Sequence, residues 1–162
     1  MFDAQTVELA TSVLAACRAK GWHVATAESC TGGLVAAALT AIAGASEVVD
    51  RGFVTYSNEA KMALLGVPEA TLAAVGAISA ESALAMAAGA VSRAGVDLAV
   101  SITGIAGPGG GSAEKPVGLV YLGVATKTTC RSERHVFPGH RAGIRHAAVI
   151  RALEMLREAA AT

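Results

Sequence analysis

Helical and extended segments alternate along the first hundred residues, and then two extended segments follow one another directly. Strands separated by a helix tend to pair parallel, because the crossover returns the chain to the same end of the sheet. Strands joined by a tight turn pair antiparallel. This order predicts an α/β fold, specifically a three-layer α/β/α sandwich with a mixed β-sheet.

The segments follow from periodicity and caps. Residues 3–20 read as an amphipathic helix with Val7, Leu14 and Cys17 on one stripe, Ala10 and Thr11 filling it, Asp3 as N-cap and Gly21 as stop. Residues 22–27 read as a strand and 32–43 as a helix rich in small side chains. Residues 48–56 favour extended backbone through Phe53, Val54 and Tyr56. A short helix over 58–65 has Ser57 as cap and Gly66 as terminator, and 68–75 reads as another helical turn. Ser79 caps a long helix to Arg93, with Glu81 in its first turn suiting the helix dipole. Residues 98–103 are an apolar run of strand length, 118–126 and 131–137 form a hairpin, and 139–160 close the chain as a helix. Ile144, Ala148, Leu153 and Leu156 lie on one side of that last helix.

With 162 residues, 53% of them hydrophobic and 16% charged, one domain spanning 1–162 can bury its core without disulfides. Lys+Arg and Asp+Glu both number 13, so neither a general nucleic-acid partner nor a polybasic membrane surface is expected. Zero net charge with high apolar content instead favours a homo-oligomer, dimer or higher. The three cysteines, Cys17, Cys30 and Cys130, form no CxxC pair, which fits a reducing cytoplasm. The N-terminus carries Asp3 and Glu8 with no basic region of the kind a secretion signal needs. The uncharged stretch between Glu28 and Glu47 is broken by Ser, Cys, Thr and Gly and does not read as a membrane span. His23, His135, His140 and His146 make no HExxH-type pair, so no metal is expected.

Two segments depart from ordinary core. Residues 27–33, Ala-Glu-Ser-Cys-Thr-Gly-Gly, join a strand to a helix, where free N–H groups and the positive helix end can meet an anion or an oxyanion. Ser29 and Thr31 read equally well as helix caps. Residues 103–112, Thr-Gly-Ile-Ala-Gly-Pro-Gly-Gly-Gly-Ser, follow the apolar strand at its C-terminal end, where ligands of α/β sheets bind. They match neither the P-loop nor GxGxxG, so no triphosphate or dinucleotide site is expected, and the alternative to a ligand loop is a flexible surface loop. Taken alone, Lys61 is a solvated charge, Tyr56 a strand residue and Met62, Met86 and Met155 core filling. Arg141 and Arg145, spaced i, i+4, can grip a phosphate or be ordinary surface charge. Cys30 is a conceivable thiol nucleophile, but no histidine stands near it in sequence.

Together, residues 27–33, the Tyr56…Asn58…Lys61 block, Gly76-Ala77-Ile78-Ser79 and the Thr103 glycine loop resemble the CinA C-terminal domain family, the nicotinamide-nucleotide amidohydrolases, in its stand-alone form. The likeness covers essentially the whole chain. It implies hydrolysis of the carboxamide of nicotinamide mononucleotide to nicotinic acid mononucleotide and ammonia, with no cofactor. By that likeness Ser29 is the nucleophile, Lys61 its base and Tyr56 an assistant, with Thr103 in the active site. The 5′-phosphate then calls for a cradle, either Thr31, Gly32 and Gly33 or the loop bearing Gly104, Gly107 and Gly109, with Arg141 as clamp. The competing readings are a non-catalytic phosphate- or nucleotide-binding module and, behind it, a structural assembly protein.

Overall fold

The computed structural model covers residues Met1–Thr162. Five strands, β1 (Val24–Glu28), β2 (Val49–Val54), β3 (Leu98–Gly104), β4 (Leu119–Thr126) and β5 (Cys130–Val136), form one sheet in the order β2-β1-β3-β4-β5. β1 pairs parallel with β2 and with β3, while β4 pairs antiparallel with β3 and β5. Six helices accompany them: α1 (Ala4–Lys20), α2 (Leu34–Thr40), α3 (Asn58–Leu65), α4 (Glu69–Val75), α5 (Ala80–Ala94) and α6 (Arg141–Ala161). The expected mixed sheet and hairpin are present.

Strand periodicity sorts the core into two unlike halves. Val24, Leu98, Val100, Ile102, Val120, Leu122 and Val124 face α1, α2 and α6, a core of large aliphatic side chains. Ala25, Ala27, Ala99 and Ala125 face the other way, towards α5, with Leu65 of α3 joining them. Small residues on that face let α5 lie close: a Cβ on Gly123 of β4 would stand 2.5 Å from the Ala83 carbonyl. Both faces of β3 are covered, and the hydroxyls of Ser101 and Thr103 on its small-residue face are satisfied by the Ala83 and Ala77 carbonyls.

The local readings change in several places: β2 stops at Val54, so Tyr56 lies beyond the strand, and α2 stops at Thr40 rather than 43. In α1 the buried stripe is Thr6, Leu9, Ala10, Val13, Leu14 and Cys17, whereas Val7 and Thr11 are exposed. The predicted stripe was rotated towards the solvent side. Helix α2 starts at Leu34 rather than 32, because Gly32 and Gly33 hold φ of 57° and 100°, outside the right-handed helical region. β1 runs on to Glu28, so that carboxylate belongs to the strand and not to the turn. Elsewhere caps fall where expected: Asp3 and Ser57 accept from Thr6 N–H and Ala60 N–H, and Gly21 and Gly66 end their helices left-handed. Met86 and Met155 fill the core, while Met62 is half-buried. At the outer edge, Arg151 of α6 grips Glu133 of β5 through two bonds of 2.8 Å and holds that carboxyl well below its ordinary range. No helix is long and apolar enough to cross a membrane.

Candidate active site

β1 is followed by a connection to β2 on one side and lies against β3 on the other, so the C-terminal ends of β1 and β3 form the switch point of the sheet. Ser29 stands there. Its N–H donates to the Ile102 carbonyl at 2.9 Å, carrying the β1–β3 ladder one residue past the strand. Thr55 N–H donates to the Glu28 carbonyl at 2.8 Å, which holds the end of β2 against the same point.

The turn after Ser29 is fixed from inside and outside. The fully buried Glu28 carboxylate accepts from the hydroxyls of Thr26 and Thr31 and from the N–H groups of Val35 and Ala36, at 2.7–3.1 Å. Arg145 of α6 donates to the carbonyls of Cys30 and Thr31, at 3.0 and 3.2 Å. Two first-turn amides of α2 are therefore spent on the chain's own carboxylate, and the Arg145 guanidinium is spent on backbone. Thr31, Gly32 and Gly33 do not line the adjacent cavity. The structure does not bring them together with the other predicted residues.

Lys61 reaches Ser29 from α3. Although lysine is rarely buried, only 1% of Lys61 is exposed. Its Nζ lies 3.1 Å from Ser29 Oγ and donates to the Thr55 carbonyl at 2.8 Å. Burial pushes its pKa down, favouring the neutral amine. A neutral amine has two N–H groups and one lone pair, enough to hold Thr55 and also accept the Ser29 hydroxyl proton. Cys30 makes the poorer nucleophile, since burial pushes its thiol up to about 11.

In front of the Ser29–Lys61 pair opens a cavity of about 310 Å³. Tyr56, Asn58, Thr103, Gly104, Gly107, Gly109 and Arg141 line it, together with Ile105, Ala106 and Gly110 of the same glycine loop and Ala77 and Ile78 of the 76–79 block. Its lining holds the Arg141 guanidinium and no carboxylate, which suits an anionic ligand. Arg141 donates to the Gly107 carbonyl at 2.8 Å and to the Tyr56 hydroxyl at 3.2 Å. Tyr56 is 63% exposed, so it stands at the cavity mouth. Thr103 is buried, and its hydroxyl donates to the Ala77 carbonyl at 2.8 Å. That bond commits the hydroxyl's one proton to the cavity wall. Asn58, Ala77 and Ile78 lay within blocks singled out by resemblance, but only their spatial neighbours make them cavity residues.

The chain matches the family model of the CinA C-terminal domain over residues 6–160. It is 51% identical over 160 residues to the nicotinamide-nucleotide amidohydrolase PncC of Enterobacter agglomerans, covering 98% of each chain. It is 52% identical over 147 residues to a CinA-like protein of Geobacter sulfurreducens, covering 91% of this chain and 36% of that one. It thus spans about a third of the length of relatives of the second kind. Among solved structures, the competence/damage inducible protein CihA from Agrobacterium tumefaciens aligns with a TM-score of 0.96 at 50% identity, covering 100% of this chain and 99% of that one.

Proposed function

The chain belongs to the CinA C-terminal domain family, and on that footing we propose that it hydrolyses the carboxamide of nicotinamide mononucleotide to nicotinic acid mononucleotide and ammonia. The observation that carries the reading is the 3.1 Å contact between a buried, pKa-lowered Lys61 and the hydroxyl of Ser29. The name of the Enterobacter relative, covered almost end to end, supplies the substrate class.

In this reading neutral Lys61 takes the Ser29 proton as Oγ attacks the amide carbon, forming a tetrahedral oxyanion. The N–H of Cys30, next in the chain, takes no part in the backbone hydrogen bonds of the turn and is the proposed donor to that oxygen. Protonated Lys61 returns its proton to the departing nitrogen, the C–N bond breaks and ammonia leaves. Tyr56 assists: its oxygen accepts from Arg141, which leaves its own proton free to donate. The ester on Ser29 is then cleaved by water, with Lys61 acting as base a second time. No cofactor enters the scheme.

For the phosphate, Arg141 and the backbone of residues 107–110 are the proposed cradle, since the amides that open α2 already serve Glu28. A cavity of about 310 Å³ is at the small end of ligand sites and suits one nucleotide. The test is ammonia release from nicotinamide mononucleotide, with the riboside as control. Release from the nucleotide with at most a small fraction of that rate from the riboside is expected. No release from either would leave the cavity as a nucleotide-binding site without chemistry.

A further inference from the structure

Two walls of the cavity come from segments far apart in sequence. Residues 105–110 of the glycine loop form one, and Ala77 and Ile78, just after α4, contribute to another. The loop returns on itself: Ile105 N–H donates to the Leu119 carbonyl and Gly118 N–H to the Ile105 carbonyl, both at 2.8 Å. Its tip is a tight turn in which Ser112 N–H donates to the Lys115 carbonyl at 2.7 Å and Lys115 N–H to Ser112 Oγ at 3.0 Å. From this tip the Lys115 ammonium donates to the carbonyl of Val75, the last residue of α4, at 2.8 Å.

α4 needs such a tie. None of its residues is buried, and Pro68 before it supplies no side-chain cap. An element with so little apolar anchorage opens readily unless something holds its ends. A cation at a helix C-terminus both satisfies an orphan carbonyl and meets the negative end of the dipole. The Gly76 carbonyl is held by the hydroxyls of Ser79 and Ser82, and the Ala77 carbonyl by Thr103. Lys115 supplies the bond between the end of α4 and the tip of the glycine loop, yet does not itself line the cavity.

We infer that Lys115 is a positioning residue, which sets the width of the substrate cavity by pinning the glycine loop to the C-terminal end of α4. Its kinetic consequence rests on the amidohydrolase reading above. Its structural consequence does not. The test compares Lys115→Met, which keeps the stem and removes the donor, with Lys115→Arg, which keeps a donor. In the ligand-free protein, hydrogen exchange at residues 73–78 should quicken in Lys115→Met and not in Lys115→Arg, with β1 and β3 unchanged. With nicotinamide mononucleotide, Lys115→Met should raise KM about tenfold with kcat changed less than about threefold, and Lys115→Arg should restore most of the loss.

Unchanged exchange at residues 73–78 would overturn the tie. Faster exchange with unaltered KM would show a contact without influence on the cavity, and a fall confined to kcat would place Lys115 in the chemistry instead. Should wild-type protein leave the nucleotide untouched, the functional reading falls, while the exchange experiment still decides the tie.

Discussion

Lys61 is asked to be buried and basic at once. Burial lowers its pKa from the ordinary 10.5, so below that lowered value the amine is protonated and cannot accept the Ser29 proton. Activity should therefore rise with pH through the lowered value and level off above it. The same shift means the unfolded chain holds the proton more tightly than the folded one, so this residue's contribution to stability improves as pH rises from the lowered value towards 10.5. A kcat/KM profile across pH 6 to 10 checks the first point, and a flat or falling profile would contradict it. Nothing in the short helix around Lys61 announces burial. Local sequence makes it a surface charge, and only the resemblance marked it as a base. The Thr55 carbonyl and Ser29 hydroxyl that receive it come from two other segments, which is why spacing alone could not identify the pair.

The reach of Lys61 depends on where α3 sits, and α3 sits where α5 lets it. Gly89 of α5 lies against the C-terminal end of α3, and a Cβ there would stand 2.0 Å from the Leu65 carbonyl. Gly89→Ala should force the helices apart, lower the unfolding free energy by about 1–3 kcal/mol and reduce kcat by carrying Nζ away from Ser29. Denaturant unfolding and turnover of the same variant measure both, and an unchanged kcat would show that the site tolerates the shift. Elements governed by local chemistry were legible. Asn58–Leu65 has its serine cap and glycine stop, and Leu98–Gly104 its apolar run. The start of α2 was not, because Gly32 and Gly33 look like small helix residues until their positive φ is known. Nor was Glu28, whose partners lie up to eight residues on and turn the opening amides of α2 inward. The phosphate cradle read at that helix end meets Val35 and Ala36 amides already bonded to Glu28, which leaves the turn's oxyanion reading to the Cys30 N–H.

Across the whole molecule, the order β2-β1-β3-β4-β5 brings the ends of β1 and β3 together and leaves the sheet's two faces with different packing. The alternation of elements was enough to anticipate the layers and the mixed sheet. It was not enough to anticipate that the small-residue face carries the helices that deliver Lys61 and the strap at residues 76–79, since those contacts join residues 26–40 positions apart. The switch point accordingly gathers Ser29 from just past β1, Lys61 from α3 and the glycine loop that follows β3 into one cavity. If Ser29 and Lys61 act as a single unit, removing both should harm no more than removing one. The measurement is kcat/KM for nicotinamide mononucleotide in Ser29→Ala, Lys61→Met and the double variant. Each single change should lower it by about a thousandfold or more, and the double variant should fall no further than the weaker single. Near-wild-type turnover in Ser29→Ala, or losses that multiply in the double variant, would contradict the dyad.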